Sequence, residues 1–233
     1  MVLRKNKEFI RLGATGDSWK NSKIPEEQSK IVDKQLKMLR RGNPPPEYTV
    51  AAEALNAIPG SNKLTLLEIG CATGYYSEVI STLVGKRVEY TGSDYSDAML
   101  TGAKKRYPNT KFLKLDIRHV ELPDKAYDVV LSGAVLVHVK EWKEAVRELA
   151  RITGSYLVLH RTPVTNAKSC RIEKKIYPDV PVFYYTFNKN ELMNLSLECG
   201  FSKIFEKNVC PHEKKGLGDM TYVLERLSIS GDL

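Results

Sequence analysis

Beyond Pro59 and Gly60 the chain settles into an alternation of short apolar runs and helix-forming segments, and that order leaves few folds open. LTLLEIG, a helix over Tyr76 to Leu83, RVEYTGSD, a helix over Ser96 to Arg106, KFLKLD, YDVVLSG, the helix WKEAVRELARI and SYLVLHR follow one another. Apolar strands this short, separated by helices, form a mostly parallel sheet covered on both faces, the doubly wound α/β class. FSKIFEKNV and MTYVLERL read as two closing strands. In the fourth helix Trp142, Ala145, Val146, Leu149 and Ile152 recur at helical spacing, and core packing accounts for all of them.

Two further regions flank this alternation. From Pro25 the sequence PEEQSKIVDKQLKMLRRG predicts a helix, with proline in the first turn, Glu26 and Glu27 at the positive end and Arg40 and Arg41 at the negative end. Gly42 and Pro44 to Pro46 stop it, and a second short helix carries Ala51, Ala54, Leu55 and Ile58 on one face. Residues 1–60 are therefore expected as an N-terminal helical cap, and 61–233 as the main domain. After Arg161 a stretch of about 26 residues precedes the next helix, and so long a connection is usually a lid, a binding loop or an extra element, with a lid expected over 162–187. Asn188 with Glu191 has the spacing of a capping box, Phe187 with Leu192 that of a hydrophobic staple, and Gly200 supplies a stop.

The formal net charge of +8 is uneven, since residues 1–50 hold eleven Lys/Arg against six Asp/Glu and residues 51–160 fourteen against thirteen. A basic leading segment is compatible with nucleic acid, but a solvated helix face accounts for it more simply. The apolar run from Val129 to Val139 is broken by Ser132, Gly133 and His138 and falls short of the ~20 residues that span a bilayer. MVLRKNKEFIRLG has no apolar stretch behind its basic residues, so no secretory signal is expected and the reading is a cytoplasmic protein. Cys71, Cys170, Cys199 and Cys210 stand far apart, without metal-site or redox pairing, and are expected to be reduced.

The functional signal lies in LLEIGCATGYY, where a strand runs into a glycine turn and then a helix. Gly70 and Gly74 let the backbone bend and approach a ligand. Asp94, at the end of the second strand, is placed to accept hydrogen bonds from two ribose hydroxyls. A dinucleotide site would show GxGxxG with small residues at the helix start; here the turn reads GCATG and is followed by Tyr75 and Tyr76. That favours a ligand without pyrophosphate, such as a nucleoside joined to an amino acid.

Over residues 64–227, with ExGCxTG as its most specific element, the chain resembles the class I S-adenosylmethionine-dependent methyltransferases. The resemblance implies a Rossmann-like seven-stranded sheet, mostly parallel with an antiparallel final strand, and S-adenosyl-L-methionine as methyl donor, with S-adenosyl-L-homocysteine as product. It carries Glu68, Gly70, Cys71, Ala72 and Gly74 to the methionine part of the donor, and Asp94, with Tyr95 and Met99, to the ribose and adenine. Asp116 and Ile117 match the pair at the adenine edge; Ser132, Gly133 and Ala134 match the strand end lying toward the methyl group. Tyr48, in NPPPEY, is a candidate to fold over the donor from the cap. NPPPEY imitates the NPPY motif of nucleic-acid amino methyltransferases, but it follows a lysine-rich helix instead of a strand, and the matching fourth-strand position reads LSGA.

For the acceptor, His138 and His160 lie beyond the fourth strand and at the end of the fifth and are candidate general bases. Arg161 is a candidate for an acidic acceptor, and Tyr177, Phe183, Tyr184 and Tyr185 for a lid over a ring or sugar. No cluster of metal ligands occurs in the sequence. The expected activity is O- or N-methylation of a small molecule such as a sugar or another polar metabolite. The rivals are an RNA or protein methyltransferase and a donor-binding protein without catalysis.

Overall fold

The computed structural model describes residues 17–21, 23–85, 88–177, 180–210 and 218–228, with the backbone alone at Lys174 and Cys210. The basic stretch MVLRKNKEFIRLG and the thiol of Cys210 lie outside the described residues.

Helix α1 spans Ile24–Arg40 and α2 spans Pro46–Asn56. Pro46 occupies the first turn of α2, where its fixed φ suits a helix and its missing N–H costs nothing, so this helix begins ahead of the apolar stripe at Ala51. Strands β1 (Leu64–Ile69), β2 (Val88–Asp94), β3 (Lys111–Lys114), β4 (Tyr127–Gly133) and β5 (Thr153–Thr165) lie parallel in the order β3-β2-β1-β4-β5. Between them run α3 (Tyr76–Leu83), α4 (Asp97–Arg106) and α5 (Trp142–Ile152). The sheet continues from β5 into β9 (Gly218–Arg226) and then β8 (Phe201–Cys210), both pairings antiparallel.

Seven strands were expected, and the nine described here differ for one reason. The stretch 162–187 contains an extra element, one of the forms expected for so long a connection. β5 runs on to Thr165, and β6 (Arg171–Ile176) and β7 (Pro181–Asn188) form an antiparallel hairpin that rejoins β5 through Val164 and Thr165. Val182, Phe183, Tyr185 and Phe187 of β7 are buried, so packing against the body of the protein organises a segment with little periodicity of its own.

Strand alternation sorts the core. Leu67, Ile69, Val130, Leu157 and Leu159 pack with α5 and with α6 (Lys189–Glu198) on one face. Leu66, Val129, Leu131, Val158 and Val223 pack with α1, α2 and α3 on the other. Neighbouring strand residues point to opposite faces, and each fully buried aliphatic side chain contributes roughly 1.5–3 kcal/mol. Pairing sets Ile69 level with Ser93 of β2 and Ser132 of β4, and Gly133 level with His160 of β5, which brings the carboxyl ends of the strands to one edge.

Candidate active site

The bend after β1 depends on its glycines. Gly70 and Gly74 both have φ near 75°, and a Cβ on Gly70 would lie 2.1 Å from Cγ2 of Val135. The backbone amides of Gly70 and Cys71 donate to the carbonyl of Ser93 at 2.7 and 2.8 Å, tying the bend to the end of β2. The amide of Ala72 donates to Oδ2 of Asp94 at 3.0 Å, and that of Ser96 to Oδ1 at 2.9 Å. The Tyr95 amide faces the same carboxylate, and three backbone donors leave part of the group's four lone-pair sites for a ligand. Burial raises the Asp94 pKa above the usual carboxylate value, against the opposing pull of these amides.

A cavity of about 310 Å³ opens where the strand order reverses between β1 and β4, the position at which ligands meet open parallel sheets. Its floor is made of Gly70 and Ala72 beside Asp94 and Tyr95, with Met99 of α4 below. The loop after β3 supplies Asp116, Ile117 and Arg118; the segment after β4 supplies Gly133, Ala134 and His138; Arg161 enters from β5. Gln28, Ile31, Val32 and Gln35 of α1 form the roof with Trp19. Among the described residues, Nε1 of Trp19 and Oε1 of Gln28 are buried without a hydrogen-bond partner. Among the described residues, Ala72, Ala134, Arg161 and Lys125 are the non-glycine positions with positive φ, and three of them line this cavity. Such conformations cost of order 1–3 kcal/mol each and gather at functional sites.

Of the expected donor residues, Gly70, Ala72, Asp94, Tyr95, Met99, Asp116, Ile117, Gly133 and Ala134 are brought together on this wall. Asp116 is not idle: Arg118 grips both its oxygens through Nε and Nη2, which outweighs burial and holds the carboxyl below its usual pKa. Glu68, Cys71, Gly74, Ser132 and Tyr48 do not reach the wall. Glu68 is buried under the bend and accepts from the Tyr90 hydroxyl, and desolvation pushes its pKa up to about 8. Gly74 instead makes room for Phe112, whose ring would lie 2.6 Å from a Cβ there. Tyr48 is fully buried and donates to Oε1 of Gln35 at 3.2 Å, so it supports the roof from behind.

The histidines part company. His160 has no exposure; its Nε2 pairs with the Tyr76 hydroxyl and its Nδ1 with the Thr221 hydroxyl, each at 2.8 Å. Burial pushes its pKa down to about 3, and the expectation of a base at this position is withdrawn: both nitrogens are occupied within the core. His138 does line the cavity, its Nδ1 lying 2.6 Å from the carbonyl of Phe183. A carbonyl only accepts, so Nδ1 carries the proton and Nε2 keeps a free lone pair. Burial drives its pKa down to about 4, leaving it neutral near pH 7.

Of the substrate candidates, Arg161 and Tyr177 are on the wall, whereas Tyr184 and Tyr185 are not. The Tyr184 ring lies 3.1 Å from Nζ of Lys175, and Tyr185 donates to the carbonyl of Lys140 at 3.3 Å. Sequence reasoning missed the roof. Trp19, Gln28 and Gln35 lie in or beside a helix whose stripe reads as core packing, and only the descent of that helix onto the strand ends gives them a ligand to face.

Residues 67–158 match the model of the family described as "Methyltransferase domain". A malonyl-[acyl-carrier protein] O-methyltransferase from Bacillus anthracis is 28% identical over 58% of this chain and 54% of its own. A trans-aconitate 2-methyltransferase from Variovorax paradoxus is 24% identical over 64% and 58%. The chain thus spans little more than half the length of these curated relatives. Among solved structures, the fold is similar to that of 1,6-didemethyltoxoflavin-N1-methyltransferase from Burkholderia thailandensis, with bound 1,6-didemethyltoxoflavin and S-adenosylhomocysteine, with a TM-score of 0.59 at 13% identity over 88% of this chain and 91% of that one. With its glycine bend tied to a buried acid at the switch point of such a sheet, the chain matches a methyltransferase domain over residues 67–158 and resembles the class I S-adenosylmethionine-dependent methyltransferases.

Proposed function

We propose that the protein transfers a methyl group from S-adenosylmethionine to a hydroxyl or amine of a small molecule, with a sugar or another polar metabolite as the class expected from the sequence. The observation that carries this reading is Asp94, buried at the switch point among the groups of the cavity wall, with acceptor capacity left beyond its backbone donors. Those groups suit a nucleoside: Asp94 would receive the ribose hydroxyls, Tyr95, Met99 and Ile117 the adenine, and the bend at Gly70 to Ala72 the amino-acid tail. When bound, the donor supplies a methyl carbon activated by a sulfonium. The chain's part is to hold the acceptor in line, which supplies much of the acceleration in such displacements, and to take its proton. His138 has the tautomer for that second task. A cytoplasmic location belongs to the same proposal, supported by the free thiols of Cys71 and Cys199.

The test is calorimetric titration with S-adenosylhomocysteine, followed by a labelled-methyl screen of metabolite, RNA and protein fractions. Tight binding, lowered by about tenfold or more in Asp94→Ala, is expected. Unchanged affinity in that variant would sink the donor assignment. Label entering RNA or protein alone would replace the acceptor class, and binding with no transfer into any fraction would leave a donor-binding protein.

A further inference from the structure

Arg161 stands at an irregularity in the sheet. The pairing of β5 with β9 shifts register between Leu159 and Thr162, and Arg161, inside that shift, has φ 52°. A side chain in this region strains the backbone, and bulges of this kind re-aim the residue they hold. Here the re-aimed side chain lines the cavity.

Among the described residues its guanidinium has neither a hydrogen bond nor an ion pair, unlike Arg40, Arg106, Arg118, Arg151 and Arg226, which are bound to carboxylates or carbonyls. Glu47 and Asp219 favour its charge through space without pairing with it, and a poorly solvated guanidinium, charged at any physiological pH, gains from an anion that joins it directly. The indole N–H of Trp19 is a second buried donor without an acceptor among the described residues. The two share neighbours: Trp19 packs on His138 and Tyr177, with ring centroids 4.6 and 5.3 Å away, and the field of Arg161 reaches both of those side chains. Asp94 lies three strands from β5, about 14 Å at normal strand spacing, so Arg161 enters the cavity well away from the ribose acid, and Trp19 and Tyr177 bridge the space between them.

We propose that Arg161 and Trp19 together receive a carboxylate carried by the methyl acceptor, with Trp19, Tyr75 and Tyr177 enclosing the acceptor's flat hydrocarbon frame. A planar fork of donors matches two carboxylate oxygens, and an aromatic wall suits an unsaturated or ring-bearing acid. This proposal rests on the reading of the cavity as a methyl-transfer site.

The test is calorimetry on the full chain, loaded with S-adenosylhomocysteine and titrated with benzoate or with benzamide, which differ in charge and hardly in shape. Benzoate should bind at least about tenfold more tightly than benzamide, and Arg161→Gln should erase that preference while S-adenosylhomocysteine affinity stays within about twofold. Arg161→Lys should keep part of the preference, and melting curves show whether both variants fold. Equal binding of benzoate and benzamide by the unmutated chain would overturn the proposal. So would a loss of S-adenosylhomocysteine affinity in Arg161→Gln with 5′-methylthioadenosine, which lacks the amino-acid tail, bound as before: the arginine would then serve the donor's own carboxylate. Failure of the unmutated chain to bind S-adenosylhomocysteine would strike the donor reading instead, and a benzoate preference that disappears in Arg161→Gln would still uphold the anion site.

Discussion

Gly70 shows how much one residue can decide. It combines a left-handed φ with a Cβ direction that points 2.1 Å from Val135, so a methyl group there meets both backbone strain and a packed neighbour. Gly70→Ala should lower unfolding free energy by about 2–4 kcal/mol, the sum of the two costs, as read by denaturant titration. A change under half a unit would mean that the bend relaxes freely. His138 is decided by a different contact. Because the Phe183 carbonyl holds Nδ1–H, His138→Gln should reduce turnover about a hundredfold or more on a hydroxyl acceptor, with donor affinity unchanged. With its pKa near 4, the base is already neutral, so turnover should not vary between about pH 6 and 8 on its account.

Helix α6 shows that spacing in a sequence names a partner more surely than it names the whole motif. Asn188 does cap the helix, accepting from the Glu191 amide at 2.7 Å, and Phe187 and Leu192 are fully buried. The reciprocal half of the box is absent: the Asn188 amide points to Sγ of Cys170 at 3.3 Å, while the Glu191 carboxylate turns to Lys143. Both alternatives come from other elements, which no local pattern encodes. Asn188→Ala should cost about 1 kcal/mol, through the single cap bond, and Glu191→Gln much less, since it removes only a half-exposed ion pair. Equal losses would restore the two-sided box.

For the whole molecule, three buried groups set opposing slopes of stability with pH. Glu68 is raised to about 8 by burial, so the folded state keeps its proton while the unfolded chain loses it, and stability falls as pH rises from the unfolded value through 8. His138 and His160 are lowered to about 4 and about 3, so stability falls as pH drops below the unfolded histidine value and is lost progressively down to those pKa values. The slopes cancel near pH 6.5, where melting temperature should be highest, at about one proton each way. Glu68→Gln should flatten the alkaline limb and His160→Gln the acid limb. A melting temperature still climbing at pH 8 would contradict the first assignment.

The order of strands and helices, the bend at Gly70 to Gly74 and the acid at Asp94 were legible before any coordinates, because each depends on local periodicity or on residue types that only one backbone conformation tolerates. Three matters waited for the tertiary structure: that α1 roofs the cavity, that residues 162–187 add a hairpin, and that one histidine lines the cavity while the other is locked in the core. Each turns on contacts between distant parts of the chain, such as His160 with Tyr76 and Thr221, and packing, not spacing, chooses those partners.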